Sequence, residues 1–290
     1  MWKSLIRQEV SDMGNEILDV LKQFMQQANT IALTEQQQAA AHLKADDTYV
    51  TSVDLRVSEL SLEVLSSVIP EGHIITEERL DNLHTLIERD TLRDAELLAF
   101  VDPIDGTRNY FHNMPLYGIS AGILRNRKPW IGMVGFPSLG ETYYCDGEAA
   151  YLSSGSPGSE PSVRKLDRLD MPLNRNSVVL LSNSFARQYE WNYDVCTMML
   201  TACVTLNCCW PSIGRGIGTV LTDHIWDFAG GWPILAALGF QLRGAFSGRE
   251  ITHFDPVDYR ADSLLLTEPA VLSRPEHYEG LRAAIRKRNT

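Results

Sequence analysis

One hexapeptide combines residue types that suit metal and phosphate chemistry, Asp102-Pro103-Ile104-Asp105-Gly106-Thr107. It follows an apolar run at residues 97–101, which predicts a buried strand. Two carboxylates this close repel each other unless a cation lies between them, and Mg²⁺ is usually held by one or two carboxylates together with substrate phosphate. A Gly-Thr pair at a helix start offers N–H groups to an anion. The hexapeptide therefore indicates a metal-dependent phosphatase, although Asp-Pro and Asp-Gly also occur in ordinary turns.

Three further acidic segments stand at the edges of predicted strands or helices. Taken singly, each has an ordinary explanation as a helix N-cap or a solvated loop. If the segments converged with the hexapeptide, their unpaired charges would be costly to bury without cations. The pattern therefore favours a shared cation site. The three segments are Asp54, Glu77-Glu78 and Asp227.

Composition limits the classes of function. The chain has 290 residues, 44% of them hydrophobic, and a net charge of −11, so it can bury a sizeable core. An acidic surface argues against binding to nucleic acid or to anionic membranes. The five cysteines are odd in number and form no CxxC pair, which argues against a disulfide framework or a zinc site and favours buried thiols in a reducing cytoplasm. No secretory signal or membrane span is expected.

Hydrophobic periodicity predicts the elements that must position these residues. Amphipathic helices are expected over residues 6–24 and 54–68, followed by strands and an antiparallel meander, and then by alternating strands and helices. A Ser/Gly/Pro-rich stretch at residues 153–159 divides the chain. The predicted strands are residues 73–76, 97–101, 119–124, 131–136, 141–145, 178–182, 220–222 and 264–266, and the later helices are residues 193–200, 228–238 and 277–287.

The order and spacing of the motifs resemble those of the inositol monophosphatase family, which belongs to the Mg²⁺-dependent, lithium-sensitive sugar phosphatases. The resemblance implies an α+β fold, a layered αβαβα sandwich. An N-terminal half (1–155) would carry the main metal and phosphate site, and a C-terminal half (160–290) would complete the metal site and the substrate pocket. The motifs are Lys44-Ala45-Asp46-Asp47 with residues 50–54, Glu77-Glu78, the hexapeptide, and Trp226-Asp227-Phe228-Ala229-Gly230-Gly231.

The same resemblance implies a set of metal ligands. Glu77, Asp102 and Asp105, with the backbone carbonyl of Ile104, would hold a first Mg²⁺ and share a second. Asp227 would complete the second site, and two or three ions are expected in all. Asp105 and Asp227 would also contact the substrate.

Catalytic roles follow from the resemblance as well. Asp54 and Thr107 would form a hydrogen bond and orient the attacking water, with Glu77 as a further catalytic residue. The N–H groups of Gly106 and Thr107 would receive the phosphate. A coordinated metal lowers the pKa of water and neutralises phosphate charge, so no covalent phospho-enzyme is required.

Some positions depart from the family pattern and bear on the substrate. Val220 stands where members that hydrolyse inositol phosphate carry a Glu, and Ala202-Cys203 stands where others have Gly-Ser or Gly-Thr. Arg215 and His224 are nearby polar residues that could contact a different leaving group, or could be ordinary surface residues. Inositol phosphate is the default substrate, with histidinol phosphate, fructose 1,6-bisphosphate and adenosine 3′,5′-bisphosphate as alternatives.

The expected partner is a small phosphorylated substrate. Neither nucleic acid nor a membrane is expected as a partner. The resemblance implies a homodimer, and the cysteine usage favours a cytoplasmic location. The alternative outside enzymes is a regulatory binding protein that keeps the fold without turnover.

Overall fold

A computed structural model describes residues 2–39, 41–43, 49–80, 91–155 and 160–288, excepting the side chains of residues 2–11 and of Thr91. The motif at residues 44–47 and residues 156–159 of the Ser/Gly/Pro-rich stretch lie outside the described residues. Within these ranges, none of the helices combines the length and the apolar character that crossing a bilayer requires. All five cysteines are buried free thiols.

The described residues form two main sheets and a set of helices that pack against them. The helices are α1 (Trp2–Glu35), α2 (Ser52–Leu65), α3 (Thr91–Asp94), α4 (Thr107–Phe111), α5 (Asn183–Gln188), α6 (Val204–Asn207), α7 (Ile225–Ala229), α8 (Gly231–Ala237) and α9 (Pro275–Ala283). The strands are β1 (Ala41–Leu43), β2 (Tyr49–Thr51), β3 (Ile74–Thr76), β4 (Leu97–Asp105), β5 (Gly118–Arg125), β6 (Lys128–Phe136), β7 (Glu141–Cys145), β8 (Ala150–Ser154), β9 (Ser162–Lys165), β10 (Val178–Leu181), β11 (Tyr189–Trp191), β12 (Thr197–Leu200), β13 (Gly218–Leu221), β14 (Gln241–Gly244), β15 (Ala270–Ser273) and β16 (Ile285–Lys287). Short 3₁₀ helices cover Gln36–Gln38, Glu71–His73, Pro137–Leu139, Trp210–Ile213 and Pro256–Asp258.

The two sheets stack with helices between and outside them. Within the described residues, the first sheet has the order β3-β4-β5-β6-β7-β8-β9 and the second the order β12-β10-β13-β15-β14. Helices α1 and α2 cover one face of the first sheet, and α7 and α8 cover its other face. The side chains of α7 and α8 also share a core with β13, β14 and β15, and α9 packs on the second sheet from outside. This arrangement is the predicted layered αβαβα sandwich.

The first sheet continues past the middle of the chain. Strand β9 lies at residues 162–165 and pairs with β8, so the sheet runs to Lys165 while the second sheet begins at Val178. The division into halves at residues 155 and 160 remains a proposal about domains.

A bulge in β4 determines the face of the sheet on which the two aspartates of the hexapeptide lie. Asp102 pairs with Ser120, but Asp105 pairs with Gly118, so three residue steps on β4 match two on β5. Residues three apart in a regular strand face opposite sides of a sheet. The extra residue returns Asp105 to the side of Asp102, at a place where Pro103, which has no N–H to donate, is tolerated.

Glycines in the first sheet allow a close approach by the helices of the middle layer. A Cβ at Gly122 would lie 2.2 Å from the carbonyl oxygen of Ala229, and a Cβ at Gly132 would lie 2.2 Å from that of Gly230. No side chain fits at these distances. The backbone of α7 and of the turn into α8 therefore rests directly on β5 and β6.

Several expected elements differ from the observed ones. Residues 193–200, expected as a helix, contain an edge strand instead, because Thr197–Leu200 pairs in parallel with β10. Residues 264–266 form only isolated bridges, and Leu264 has a positive φ of 54°, which interrupts an extended strand. The closing helix ends at Ala283, since residues 285–287 pair with β11.

Candidate metal and phosphate site

Three carboxylates from distant parts of the chain meet at one point. Oxygens of Glu77, Asp102 and Asp227 lie within 4.8 Å of one another. Glu77 follows β3, Asp102 lies on β4 beside it, and Asp227 is on α7, which packs across the sheet. The side chain of Asp102 is held by the N–H of Ile104, which donates to its Oδ1 at 3.1 Å. The predicted convergence of these acidic segments is thus present in the geometry.

Asp227 and Asp54 are positioned by the same local device. Each is the third residue of a helix, and its side chain accepts a hydrogen bond from the backbone N–H of the N-cap residue. The N-cap N–H is that of Thr51 for Asp54 and that of His224 for Asp227, both at 2.9 Å. Neither aspartate is the N-cap itself, which corrects the simpler interpretation of the sequence.

Asp54 is buried behind the hexapeptide and faces Thr107. The Thr107 hydroxyl donates to the carbonyl of Ile104 at 2.9 Å and lies 3.4 Å from Oδ1 of Asp54. The other oxygen of Asp54 accepts from the backbone and the hydroxyl of Thr51. Because a carbonyl oxygen has two lone pairs and Thr107 occupies one, the Ile104 oxygen can accept one further contact. The structure therefore brings together the residues that were predicted to orient water.

The turn before α4 requires glycine. Gly106 has a φ of 82°, and a Cβ there would lie 3.0 Å from the carbonyl oxygen of Leu116 and 3.2 Å from that of Ala202. Glycine alone among the residues adopts this backbone without strain. Gly106 is the N-cap of α4, so the first N–H groups of that helix follow directly after Asp105.

Asp105 is fixed by residues of the second half. Its Oδ2 accepts a hydrogen bond from the N–H of Thr205 at 2.5 Å and lies 3.2 Å from the thiol of Cys203. Cys203 is also within 3.2 Å of the Thr205 hydroxyl. The segment before α6 therefore orients a carboxylate of the hexapeptide.

The crowding of carboxylates shows in their pKa values. Burial, followed by the charges of Glu77, Asp105 and Asp227, raises the pKa of Asp102 well above its usual range. Burial and the charge of Asp227 raise the pKa of Asp105 to about 7, although hydrogen bonds from Thr205 and Cys203 oppose that shift. Such raised values are expected where acids share a space that a cation would occupy.

These groups line one cavity of about 230 Å³. All of the predicted site residues except Asp54 line it, and Asp54 contacts it through Thr107. Several lining residues were not predicted from the sequence. Two signals could have indicated four of them, namely the polar Ser-Asn-Ser at the end of a predicted strand and the acid four residues before Asp227. The missed residues are Tyr49, Ser182, Asn183, Ser184, Val204 and Asp223.

The family is settled by comparison over the length of the chain. Residues 7–290 match the model of the inositol monophosphatase family. The chain belongs to the inositol monophosphatase family. The predicted family, the layered fold and the enzyme class, a phosphoric monoester hydrolase, are thereby confirmed.

Relatives in the family differ in their named activities. A histidinol-phosphatase of Chlorobaculum parvum is 32% identical over 213 residues, which cover 69% of this chain and 75% of that protein. A 3′(2′),5′-bisphosphate nucleotidase of Aggregatibacter actinomycetemcomitans is 32% identical over 135 residues, and the match spans about half of each protein, 46% of this chain and 48% of the relative. An inositol monophosphatase/NADP phosphatase, solved with Mg²⁺ and phosphate, superposes with a TM-score of 0.74 at 18% identity, covering 93% of this chain and 95% of that one.

The positions that depart from the family pattern have distinct places in the structure. Val220 is fully buried in β13, packs in the core that α9 covers, and does not line the cavity. Arg215 pairs with Glu141 and stacks on Trp210, away from the cavity. His224 does line the cavity, with its ring stacked on Trp226 and its Nδ1 3.7 Å from Asp227. Of the two polar residues proposed to contact the leaving group, His224 alone is in position.

Ala202 takes the place of the family glycine at a backbone cost. It has a φ of 56°, a conformation that costs an L-residue roughly 1–2 kcal/mol. Its carbonyl oxygen faces Gly106. The strained residue thus lies against the turn at Gly106.

Proposed function

We propose that this chain is a Mg²⁺-dependent phosphatase that hydrolyses a small phosphate monoester by direct attack of water. The observation that carries the proposal is the meeting of Glu77, Asp102 and Asp227 oxygens beside the Gly106–Thr107 turn in one cavity. Hard oxygen ligands with an anion site next to them are what a magnesium phosphatase requires.

The donor set fits Mg²⁺. All the side-chain donors are carboxylates, and the carbonyl of Ile104 adds a neutral oxygen in the same cavity. The carboxyl of Asp102 is buried among like charges and holds its proton more tightly than usual. A bound cation would remove that repulsion and would supply neutralisation of phosphate charge and a lower pKa for the attacking water. We expect Glu77, Asp102, Asp105, Asp227 and the carbonyl of Ile104 to hold two or three ions.

Thr107 and Asp54 would orient the water. The Thr107 hydroxyl donates to the Ile104 carbonyl in the metal-free protein. If a cation bound that carbonyl, the hydroxyl would donate instead to Oδ1 of Asp54, 3.4 Å away, and the lone pairs of Oγ1 would be free to accept a proton from water. Asp54 is itself fixed by Thr51, so the hydroxyl is aimed by an ordered chain of hydrogen bonds. The N–H groups of Gly106 and Thr107 would hold the phosphate, while Asp105 and Asp227 would face the leaving group.

The leaving group is the open part of the proposal. Relatives named histidinol-phosphatase, bisphosphate nucleotidase and inositol monophosphatase support a range of small esters. A side chain at position 220 is buried in the second sheet rather than exposed to the cavity, so Val220 does not by itself argue against inositol phosphate. The homodimer, the cytoplasmic location and the domain division remain predictions.

The test is phosphate release from a panel of esters, with Mg²⁺ and with a chelator. The panel contains inositol 1-phosphate, histidinol phosphate, fructose 1,6-bisphosphate, adenosine 3′,5′-bisphosphate and 4-nitrophenyl phosphate. We expect turnover of at least one ester that Mg²⁺ supports and the chelator stops. Magnesium binding without turnover of any ester would contradict the proposal and favour a regulatory binding protein.

A matched pair of variants tests the site itself. Glu77→Gln removes a charge from the carboxylate cluster, and Glu78→Gln makes the same change one residue away, outside that cluster and the cavity lining. We expect Glu77→Gln to lose Mg²⁺-dependent turnover by at least about a hundredfold, since even indirect contacts to a metal are worth 10–100-fold. Glu78→Gln should keep it, and equal losses in both variants would argue against the assigned cluster.

A further inference from the structure

A second cavity, of about 240 Å³, lies between α3 and the long connection from β14 to β15. None of its described lining residues also lines the cavity of the carboxylate cluster. An apolar cavity of about 150 Å³ can hold a benzene ring, so this one has room for a ring with a substituent. We call it the α3 cavity, and its lining includes Leu92, Arg93, Phe254, Tyr259, Arg260 and Leu264.

The floor of the α3 cavity is apolar and its mouth is basic. Leu92, Phe254 and Leu264 are buried, whereas Arg93 and Arg260 are exposed. No acidic side chain of the described residues lines the cavity, and Arg260 belongs to none of the ion pairs in the described part of the chain. In a chain with a net charge of −11, such a mouth favours an anionic ligand.

Tyr259 contributes a buried hydroxyl that has no partner. Its side chain is 3% exposed, lines the cavity and packs on Phe254 with the ring centroids 4.8 Å apart. The hydroxyl forms no hydrogen bond with a described residue, and a buried polar group without a partner is rare and costly. A guanidinium group only donates hydrogen bonds and a phenol can donate one. A ligand that fits this lining therefore supplies acceptors.

The α3 cavity lies next to the helix that carries Asp227 without being part of the carboxylate cluster. The carbonyl of Leu264 accepts a hydrogen bond at 3.3 Å from the N–H of Ile225, the first residue of α7. A ligand on the cavity floor would contact Leu264. It would therefore bear on the segment that holds the start of α7.

We propose that the α3 cavity binds a small carboxylate with an apolar body the size of a ring. The ring would fill the floor, and the carboxylate would accept hydrogen bonds from Arg260 and from the Tyr259 hydroxyl. The planar guanidinium group matches a carboxylate in geometry. A neutral ligand of the same shape would bind less well, because hydrogen bonds to an ionised group are about twice as strong. This site does not depend on the proposed phosphatase function.

The test is calorimetric titration of the full chain with two probes of one shape, phenylacetate and phenylacetamide. In chelator and excess inorganic phosphate, neither a bound metal nor the Gly106–Thr107 turn can hold the probe. We expect a dissociation constant of about 1 mM or tighter for phenylacetate, an ordinary value for a ligand of this size. Phenylacetamide should bind about tenfold more weakly, the effect of one charged hydrogen bond. No saturable binding of phenylacetate would overturn the inference.

Variants test the assignment to the α3 cavity. Arg260→Gln should weaken phenylacetate by about tenfold and leave phenylacetamide unchanged, whereas Arg286→Gln makes the same change at an exposed position outside the lining and should alter neither. Ala261→Leu adds bulk at an exposed lining position and should abolish binding of both probes. Tyr259→Phe should weaken phenylacetate several-fold and should not lower the thermal midpoint, since the hydroxyl it removes has no partner.

Two further results would count against the inference. Binding of phenylacetate that neither Ala261→Leu nor Arg260→Gln changes would lie outside the α3 cavity. Equal binding of both probes that Ala261→Leu abolishes would assign the cavity to neutral apolar ligands and reject the carboxylate.

Discussion

The hydroxyl of Thr107 lies 3.4 Å from Oδ1 of Asp54, a residue 53 positions earlier in the chain. Asp54 is in the first turn of α2, and Thr107 begins α4. The contact joins the helix layer outside the first sheet to the end of the strand that carries Asp102 and Asp105. It places a polar pair where the cavity meets the hexapeptide, and it is the contact most open to test by single substitutions.

Replacing Thr107 by Ala should lower kcat by about a hundredfold or more and change KM little. The hydroxyl is assigned to the water, whereas the phosphate contacts come from backbone N–H groups that Ala retains, so the loss should fall on the transition state. Steady-state kinetics with saturating Mg²⁺ would check this. Thr107→Ser should recover most of the rate, and a rise in KM at unchanged kcat would contradict the role.

Replacing Asp102 by Asn should abolish Mg²⁺-dependent activity and yet stabilise the metal-free protein. The carboxylate is buried beside Glu77, Asp105 and Asp227, whose charges repel it, and Asn has nearly the same shape without that charge. Thermal unfolding in chelator should show a higher midpoint than the unaltered protein, and added Mg²⁺ should raise it far less. A lower midpoint in chelator would mean that the carboxylate has a cationic partner within the chain.

The metal-free protein should lose stability as the pH rises from about 4 to about 7. Burial raises the pKa of Asp105 from 3.8 to about 7 and that of Asp223 to about 6. In this window the folded protein binds protons that the unfolded chain has released, so the free energy of unfolding falls with rising pH. Thermal midpoints in chelator should drop by roughly 5 °C across the window, which corresponds to about 2 kcal/mol.

Two controls accompany the pH series. Mg²⁺ should reduce the drop at its neutral end, because a cation favours the ionised carboxylates. Asp105→Asn should make the slope shallower in chelator. A midpoint that stays level or rises with pH in chelator would show that these carboxyls are not protonated in the folded protein.

Replacing Cys203 by Ala should raise the Mg²⁺ concentration needed for half-maximal activity by about tenfold. The thiol lies 3.2 Å from Oδ2 of Asp105, and lost outer contacts to a metal ligand cost 10–100-fold in affinity. Cys203→Ser keeps a hydrogen-bond donor and should return the Mg²⁺ concentration for half-maximal activity to that of the unaltered protein. Cys145→Ala removes another buried thiol, from β7, and should not alter it; equal effects of both Ala variants would mean that Cys203 has only a packing role.

The acidic residues of the candidate metal site could be predicted because their signals are local. Asp102 and Asp105 follow an apolar run, and Asp54 and Asp227 open amphipathic helices, so each carboxylate could be placed at the edge of an element. Their convergence depends on the bulge in β4, which spacing alone does not reveal. The layered fold followed from the motifs as a set.

The side of the cavity lined by Ser184 and Asp223 was not predictable in the same way. Asp223 and Ser184 belong to different segments that meet only because β10 and β13 pair in parallel, and sequence distance gives no sign of that pairing. Residues 197–200 carry a helix-like pattern but become an edge strand, because the neighbouring β10 supplies hydrogen-bond partners that outweigh local propensity.

The glycines at positions 122 and 132 have a consequence for the evolution of this enzyme. They set how closely the backbone that follows Asp227 approaches the sheet that carries Asp102. A methyl group at either position would push the helix backbone away from the sheet. That shift would tilt one carboxylate relative to the other without any contact to a cation or a substrate. Mg²⁺ tolerates little departure from octahedral geometry and larger ions tolerate more, so drift at these two interior positions could retune ion selectivity while every ligand stays the same.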